Sequence, residues 1–79
     1  HHMLRFLRER VMAEDDLRKL IGDHGFTIAN LSCRLIEGGQ QFEYRMTIKN
    51  QDRRNAEKLS VYLRSLPEVV EFRIAPTGD

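Results

Sequence analysis

Three groups of side chains in this sequence are of types that could do chemistry: a cysteine, a histidine and an acidic triplet. Cys33 is the only thiol among 79 residues, so it cannot form an intrachain disulfide or a cysteine-rich metal site. It alternates with Leu31 and Leu35, and free cysteine is among the most often buried residue types. This pattern predicts a cysteine that packs in the core rather than a nucleophile or a metal ligand.

The other two groups are predicted to lie at the two ends of one helix. Glu14, Asp15 and Asp16 are consecutive and would point in different directions, whereas a divalent cation needs about six oxygens in a defined geometry. In the first turn their charge instead compensates the helix dipole. His24 falls in the last turn, where the dipole favours a partly charged imidazole in a capping role. We therefore expect no bound metal or other cofactor.

Two further patterns do not complete a site of known chemistry. Gly38-Gly39 joins two predicted strands and lacks the Gly-Lys-Ser/Thr ending of a phosphate loop, so it predicts a hairpin turn. Arg10 and Asn30 are the residue types of an acylphosphatase-like hydrolase, but the first loop has no glycines to cradle a phosphate. The sequence therefore predicts a protein that is not an enzyme.

The overall charge does not indicate nucleic acid as a partner. Thirteen basic and 12 acidic residues leave a formal net charge of +1, which is too small to create a strong field. Phe42 and Tyr44 share the parity of Met46 and Ile48, so we expect them to face a core rather than to stack on RNA bases. No run of about 18 apolar residues, the length that a membrane-spanning helix needs, is present in the sequence.

Hydrophobic periodicity predicts six regular elements. In chain order they are a strand at 4–12, a helix at 13–24, strands at 26–36 and 41–49, a helix at 53–66, and a closing strand after Pro67. The first assignment has an alternative, because Leu4, Leu7 and Val11 also fit the spacing of a helix.

Local signals define the ends of these elements. Asp52 is the expected N-cap of the second helix. The closing strand alternates Val70, Phe72 and Ile74 on one predicted apolar face. The first three residues, His1-His2-Met3, are typical of the end of a purification tag, so we assign the domain to residues 4–79.

The order β-α-β-β-α-β predicts an α+β fold. Two amphipathic helices must cover one face of a four-stranded antiparallel sheet, because each strand supplies one apolar face. The usual solution is the ferredoxin-like sandwich, with the strands in the spatial order 4-1-3-2. The closing strand then lies at an edge of the sheet, and its outer backbone edge is open to a second copy of the chain.

The second face of this sheet is predicted to be polar and uncovered. It would present two groups of side chains: Asn30 and Ser32, together with the candidate interaction surface formed by Arg34, Glu43, Arg45, Thr47, Glu71 and Arg73. Charged side chains on neighbouring strands can pair across the ladder for about 0.2–1 kcal/mol each. This face is either simply solvated or a contact surface for another protein.

The end of the chain resembles one branch of the bacterial MgtC/SapB family. Members of that branch close with a Leu-Pro/acidic-Val-x-Glu-Phe-Arg-Ile/Val-x-Pro-Thr-Gly-Asp pattern after an amphipathic helix, and the resemblance is specific over residues 67–79. Here the run reads Leu66-Pro67-Glu68-Val69-Val70-Glu71-Phe72-Arg73-Ile74-Ala75-Pro76-Thr77-Gly78-Asp79.

The resemblance implies a parent protein and a place for this domain within it. MgtC/SapB proteins carry an N-terminal multi-helix membrane domain and then a soluble domain on the cytoplasmic side of the bacterial inner membrane, which in some members is ACT-like. The family is associated with growth at low magnesium, with survival inside macrophages and with restraint of the ATP synthase. The residues usually credited with its function lie in the membrane part, so none is carried over to this chain.

The resemblance leaves two interpretations of function open. The first is a non-catalytic regulatory or interaction domain whose partner is a second copy, bound through the sheet face or the strand edge, the membrane domain of the same chain, or another membrane protein. The alternative is an ACT domain that senses an amino acid or Mg²⁺. ACT domains bind amino acids near a glycine-containing first loop, and residues 13–15 contain no glycine.

Overall fold

The computed structural model describes residues 2–49 and 52–75. Its four strands are β1 (His2–Leu7), β2 (Thr27–Ile36), β3 (Gln41–Lys49) and β4 (Val69–Arg73). Its two α-helices are α1 (Glu14–Asp23) and α2 (Arg53–Arg64), and single 3₁₀ turns cover Arg8–Arg10 and Glu37–Gly39. The predicted order β-α-β-β-α-β is confirmed, and the bounds predicted for β3 are the observed ones.

All four strands form one antiparallel sheet in the order β2-β3-β1-β4. Read from the other edge this is the predicted order 4-1-3-2, so β2 and β4 are the edge strands. The arrangement is consistent with a ferredoxin-like fold. It places the two ends of the described chain, β1 and β4, side by side in the sheet.

The core lies between one face of the sheet and the two helices. The inward side chains of β1 and β3 alternate with outward ones, as the period of a strand requires. Leu17 and Ile21 of α1 and Leu59 and Leu63 of α2 are each fully buried against them. The buried hydrophobic set is Leu4, Phe6, Leu17, Ile21, Phe26, Tyr44, Met46, Ile48, Leu59 and Leu63.

The helices end at capping residues that can be recognised in the sequence. The Asp52 side chain accepts a hydrogen bond from the Arg54 backbone N–H at 2.9 Å, which confirms the predicted N-cap of α2. After α1 the Phe26 N–H donates to the Ile21 carbonyl at 3.1 Å, while Gly25 has φ of +85°. This is a Schellman ending, and a Cβ at Gly25 would lie only 2.6 Å from Nδ2 of Asn55.

The first strand differs from its prediction at both ends. It begins at His2, within the run assigned to a tag, and it ends at Leu7 rather than near residue 12. Arg8–Arg10 form a 3₁₀ turn because three consecutive charged residues offer no apolar face to continue the alternation. His2 is buried, and its Nε2 lies 2.7 Å from the Ala75 carbonyl oxygen.

Both edge strands contain a β-bulge that the alternation alone does not reveal. Arg5 pairs with Glu71 and the next residue of β1 pairs with Val69, so Val70 is the extra residue. Val70 is therefore exposed, and its predicted place on the apolar face of the closing strand is wrong. In β2 the pairing skips Ala29 in the same way.

Cys33 is exposed, so its predicted burial in the core is wrong. It does share the helix-side parity of Leu31, but burial falls along β2, and Leu35 is about half exposed. This end of the edge strand is not covered by the helices. The alternation of β2 therefore predicted correctly which face of the sheet Cys33 lies on, but not that its side chain is exposed.

Two positions on α2 provide a matched test of the core. Replacing Leu63, which is 0% exposed, with alanine is expected to lower the free energy of unfolding by about 2–5 kcal/mol, because it leaves a cavity between helix and sheet. Replacing Val61, which is 53% exposed, with alanine should change it by less than about 0.5 kcal/mol. Urea denaturation measures both; equal losses would contradict the placement of α2.

Candidate interaction surface on the open sheet face

The open face is the side of the sheet that points away from α1 and α2. Strand alternation and the pairing register define its members. All six residues of the predicted interaction surface lie on it, together with residues of β1 that the sequence analysis did not include. Its polar and apolar members are Met3, Arg5, Leu7, Thr27, Asn30, Ser32, Arg34, Ile36, Gln41, Glu43, Arg45, Thr47, Lys49, Glu71 and Arg73.

One row of this face alternates in charge across all four strands. Glu71 of β4 is opposite Arg5 of β1, which is opposite Glu43 of β3, which is opposite Arg34 of β2. We call these four residues the charge ladder. Arg5 Nη1 donates to Glu71 Oε1 at 2.7 Å and Arg5 Nε to Glu43 Oε2 at 2.9 Å. Arg34 Nε donates to Glu43 Oε1 at 2.8 Å, so each oxygen of Glu43 accepts from a different guanidinium.

Glu43 is buried although it lies on the uncovered face. Only 1% of it is exposed, because the side chains of Arg5 and Arg34 close over it from the two neighbouring strands. The predicted position of Glu43 on this face is therefore correct, but its predicted exposure is wrong. Arg45 adds a third, longer approach, with Nε 3.9 Å from Glu43 Oε1.

The pKa of Glu43 reflects two opposing effects. Desolvation by burial raises it, but the hydrogen bonds and charges of Arg34 and Arg5 together outweigh this effect, and the pKa is lowered from its ordinary value. Glu43 is therefore a carboxylate at neutral pH. The ladder keeps its alternating charges under those conditions.

Arg5 is the member of the charge ladder that the sequence analysis missed. Residues 5, 8, 9 and 10 are all charged, and together they blurred the alternation of the first strand. A usable signal was present, since Arg5 stands between Leu4 and Phe6, and both of these are fully buried. Their inward orientation requires that Arg5 point to the open face.

A second row lies beside the ladder and carries unbalanced positive charge. Met3 of β1 is opposite both Arg45 of β3 and Arg73 of β4. We call Arg45, Met3 and Arg73 the arginine row. A shallow cleft of about 280 Å³ lies here, lined by His2, Met3, Arg45, Arg73 and Ala75.

The remaining candidates have structural roles in the part of the chain that is described. The Nδ1 atom of His24 lies 2.9 Å from the Leu20 carbonyl oxygen, and its ring packs on Tyr62 with centroids 5.5 Å apart. The acidic triplet occupies the first turn of α1, as predicted. Over residues 2–49 and 52–75, no cluster of three or more His, Cys, Asp or Glu side chains is placed to hold a metal ion.

Comparison with known proteins does not assign the chain to a class. No protein-family model matches it, and no curated protein matches it either. Among the described residues, neither helix is long and apolar enough to cross a membrane. The MgtC/SapB resemblance therefore stays a prediction, and residues 76–79 of its pattern lie outside the described residues.

The ladder predicts unequal costs for removing its two carboxylates. Glu43→Gln is expected to lower the free energy of unfolding by about 1–3 kcal/mol, because two guanidiniums lose a shared charged acceptor at a buried position. Glu71→Gln should cost at most about 1 kcal/mol, since that side chain is 52% exposed. Denaturant unfolding of both variants checks this order, and a reversed order would contradict it.

The lowered pKa of Glu43 also predicts a pH dependence. A carboxyl group whose folded pKa is below its unfolded value stabilises the fold above the unfolded value, about 4.3 for Glu, and this stabilisation is lost as the pH falls through the folded pKa. The difference in unfolding free energy between the wild type and Glu43→Gln should therefore narrow from about pH 7 to about pH 2. A difference that widens in acid would contradict the assigned direction.

Proposed function

We propose that this chain is a non-catalytic regulatory or interaction domain that acts through its open sheet face. The observation that carries the proposal is the buried carboxylate of Glu43, held by Arg5 and Arg34 on a face that no helix covers. The outer pair of the ladder, Arg5 with Glu71, has a half-exposed carboxylate and contributes little to stability, so stability alone does not account for a network that extends across the whole face. A surface whose charged side chains are already fixed loses less entropy when it binds a partner.

We further propose that the domain belongs to an MgtC/SapB-type membrane protein and is ACT-like in its finer architecture. Two observations support this parentage. The closing pattern follows an amphipathic helix, α2, and the strand order is consistent with a ferredoxin-like fold, which also has the element order β-α-β-β-α-β. The domain would then lie on the cytoplasmic side of the bacterial inner membrane and serve magnesium homeostasis and virulence.

The partners that this proposal names are a second copy of the chain, the membrane domain of the same parent, or another membrane protein. The domain would bind any of these three partners without catalysing a reaction. The competing function, sensing of an amino acid or Mg²⁺, would use the loop between β1 and α1. Titration of the labelled chain with amino acids and with Mg²⁺ separates them, because shifts confined to residues 12–16 would support sensing.

Two neighbouring residues of β2 provide the direct test. Ser32 is exposed on the open face, and Cys33 is exposed on the opposite face of the same strand. Ser32→Tyr places a bulky ring on the proposed surface, whereas Cys33→Tyr places the same ring on the helix side. In the proposed MgtC/SapB-type parent protein, we expect Ser32→Tyr to impair growth at low magnesium and Cys33→Tyr to leave it unchanged.

Equal effects of the two variants on growth would overturn the use of the open face. The parentage has its own test, the sequence upstream of Leu4 in the gene. A hydrophobic multi-helix segment there would support an MgtC/SapB-type parent, and a polar segment of the same length would contradict it.

A further inference from the structure

We propose that the arginine row is a binding site for the carboxylates of an acidic protein segment. The inference rests on the proposed function, because it names the chemistry of the partner that the open face takes. Its centre is the pair Arg45 and Arg73, on either side of Met3. The charge ladder beside it would hold the face in shape and would not itself bind.

The first argument is that, among the described residues, Arg73 has no carboxylate partner and Arg45 has only a distant one. Arg5 and Arg34 are engaged by the carboxylates of the ladder. Arg45 reaches Glu43 only at 3.9 Å, and both oxygens of that carboxylate already accept shorter hydrogen bonds. Arg73 forms no ion pair with any residue in the ranges 2–49 and 52–75. The ladder and the row together hold four arginines against two glutamates, an excess of two positive charges.

The second argument is the spacing of the two guanidinium groups. β3 and β4 flank β1, so the backbones of Arg45 and Arg73 lie two strand spacings apart, about 10 Å. Same-face side chains of an extended peptide repeat about every 7 Å, a separation that two long, flexible arginine side chains can match. Each guanidinium presents a planar fork that suits a carboxylate. The open cleft of about 280 Å³ between them leaves access to both.

The third argument excludes other occupants of the same row. Two open faces stacked on each other would bring together two surfaces that each carry an excess of positive charge, which is repulsive. Single-stranded nucleic acid binds by stacking its bases on aromatic rings. Among the described residues, the aromatic side chains of the sheet lie on the helix side, at Phe6, Phe42, Tyr44 and Phe72. An acidic polypeptide needs neither a ring nor a neutral face.

The probe is a peptide of six glutamates, titrated into the isotopically labelled 79-residue chain and followed by NMR. We expect shifts centred on residues 3, 45 and 73, with an affinity that falls as salt is added. The double variant Arg45→Gln with Arg73→Gln should bind at least about tenfold more weakly. The matched control is the double variant Lys58→Gln with Arg64→Gln, which also removes two exposed positive charges, both on α2 and away from the open face.

Four results would overturn the inference. They are equal weakening by the control variant, shifts centred elsewhere, equally tight binding of six-residue oligothymidine or of inorganic phosphate, and a dimer in sedimentation that the double variant abolishes. A chain ending at Ala75 adds a fifth result: if it binds the peptide at least about tenfold more tightly, the acid groups of the chain's own terminus compete for the row. If peptide binding gives one of these results but Ser32→Tyr still impairs growth, the inference about the arginine row is wrong and the proposed function is retained.

Discussion

The hydrogen bonding of the Glu43 carboxylate is the constraint on which the open face depends. Its two oxygens accept from guanidiniums on both neighbouring strands, so one side chain links β1, β3 and β2, and Arg5 extends the link to β4. Burial of an unpaired carboxylate would cost several kcal/mol, whereas burial beneath two hydrogen-bonded arginines is tolerated. The sheet thus has a hydrophobic core on one side and an ionic network on the other. The ionic network contributes less to the free energy of unfolding than the hydrophobic core does. Its geometry is more tightly constrained, because each donor must reach one particular oxygen.

The two faces of the sheet are held together by different interactions. Leu4 and Phe6 point into the core while Arg5 between them joins the ladder, so three consecutive residues of β1 support both faces. A central strand serves this purpose well, because its register is fixed by partners on both sides. Substitutions in β1 can therefore affect the core through Leu4 and Phe6, or the charge ladder through Arg5.

The features of the fold and of the open face that could be predicted are those that follow from a clear local pattern in the sequence. The period-2 alternation of β3 fixed its bounds and the orientation of Tyr44, and Gly25 with Phe26 announced the end of α1. Burial of Glu43 was not predictable, because it requires the cross-strand positions of Arg5 and Arg34, and register is a tertiary property. The exposure of Cys33 and Val70 was not predictable from the alternation either. A residue predicted to lie on the helix side of a strand is buried only if the helices extend over it and no bulge changes its orientation.

The two bulges have a consequence for how copies of this chain meet one another. Ala29 and Val70 interrupt the pairing in β2 and β4, the strands that carry the free backbone edges. A bulge bends its strand and increases its twist, which makes the edge a poor template for a further strand. Amyloid-like growth requires long, flat and regularly spaced edges. The two bulges, which strand alternation does not predict, therefore make both edges poor starting points for the addition of further strands.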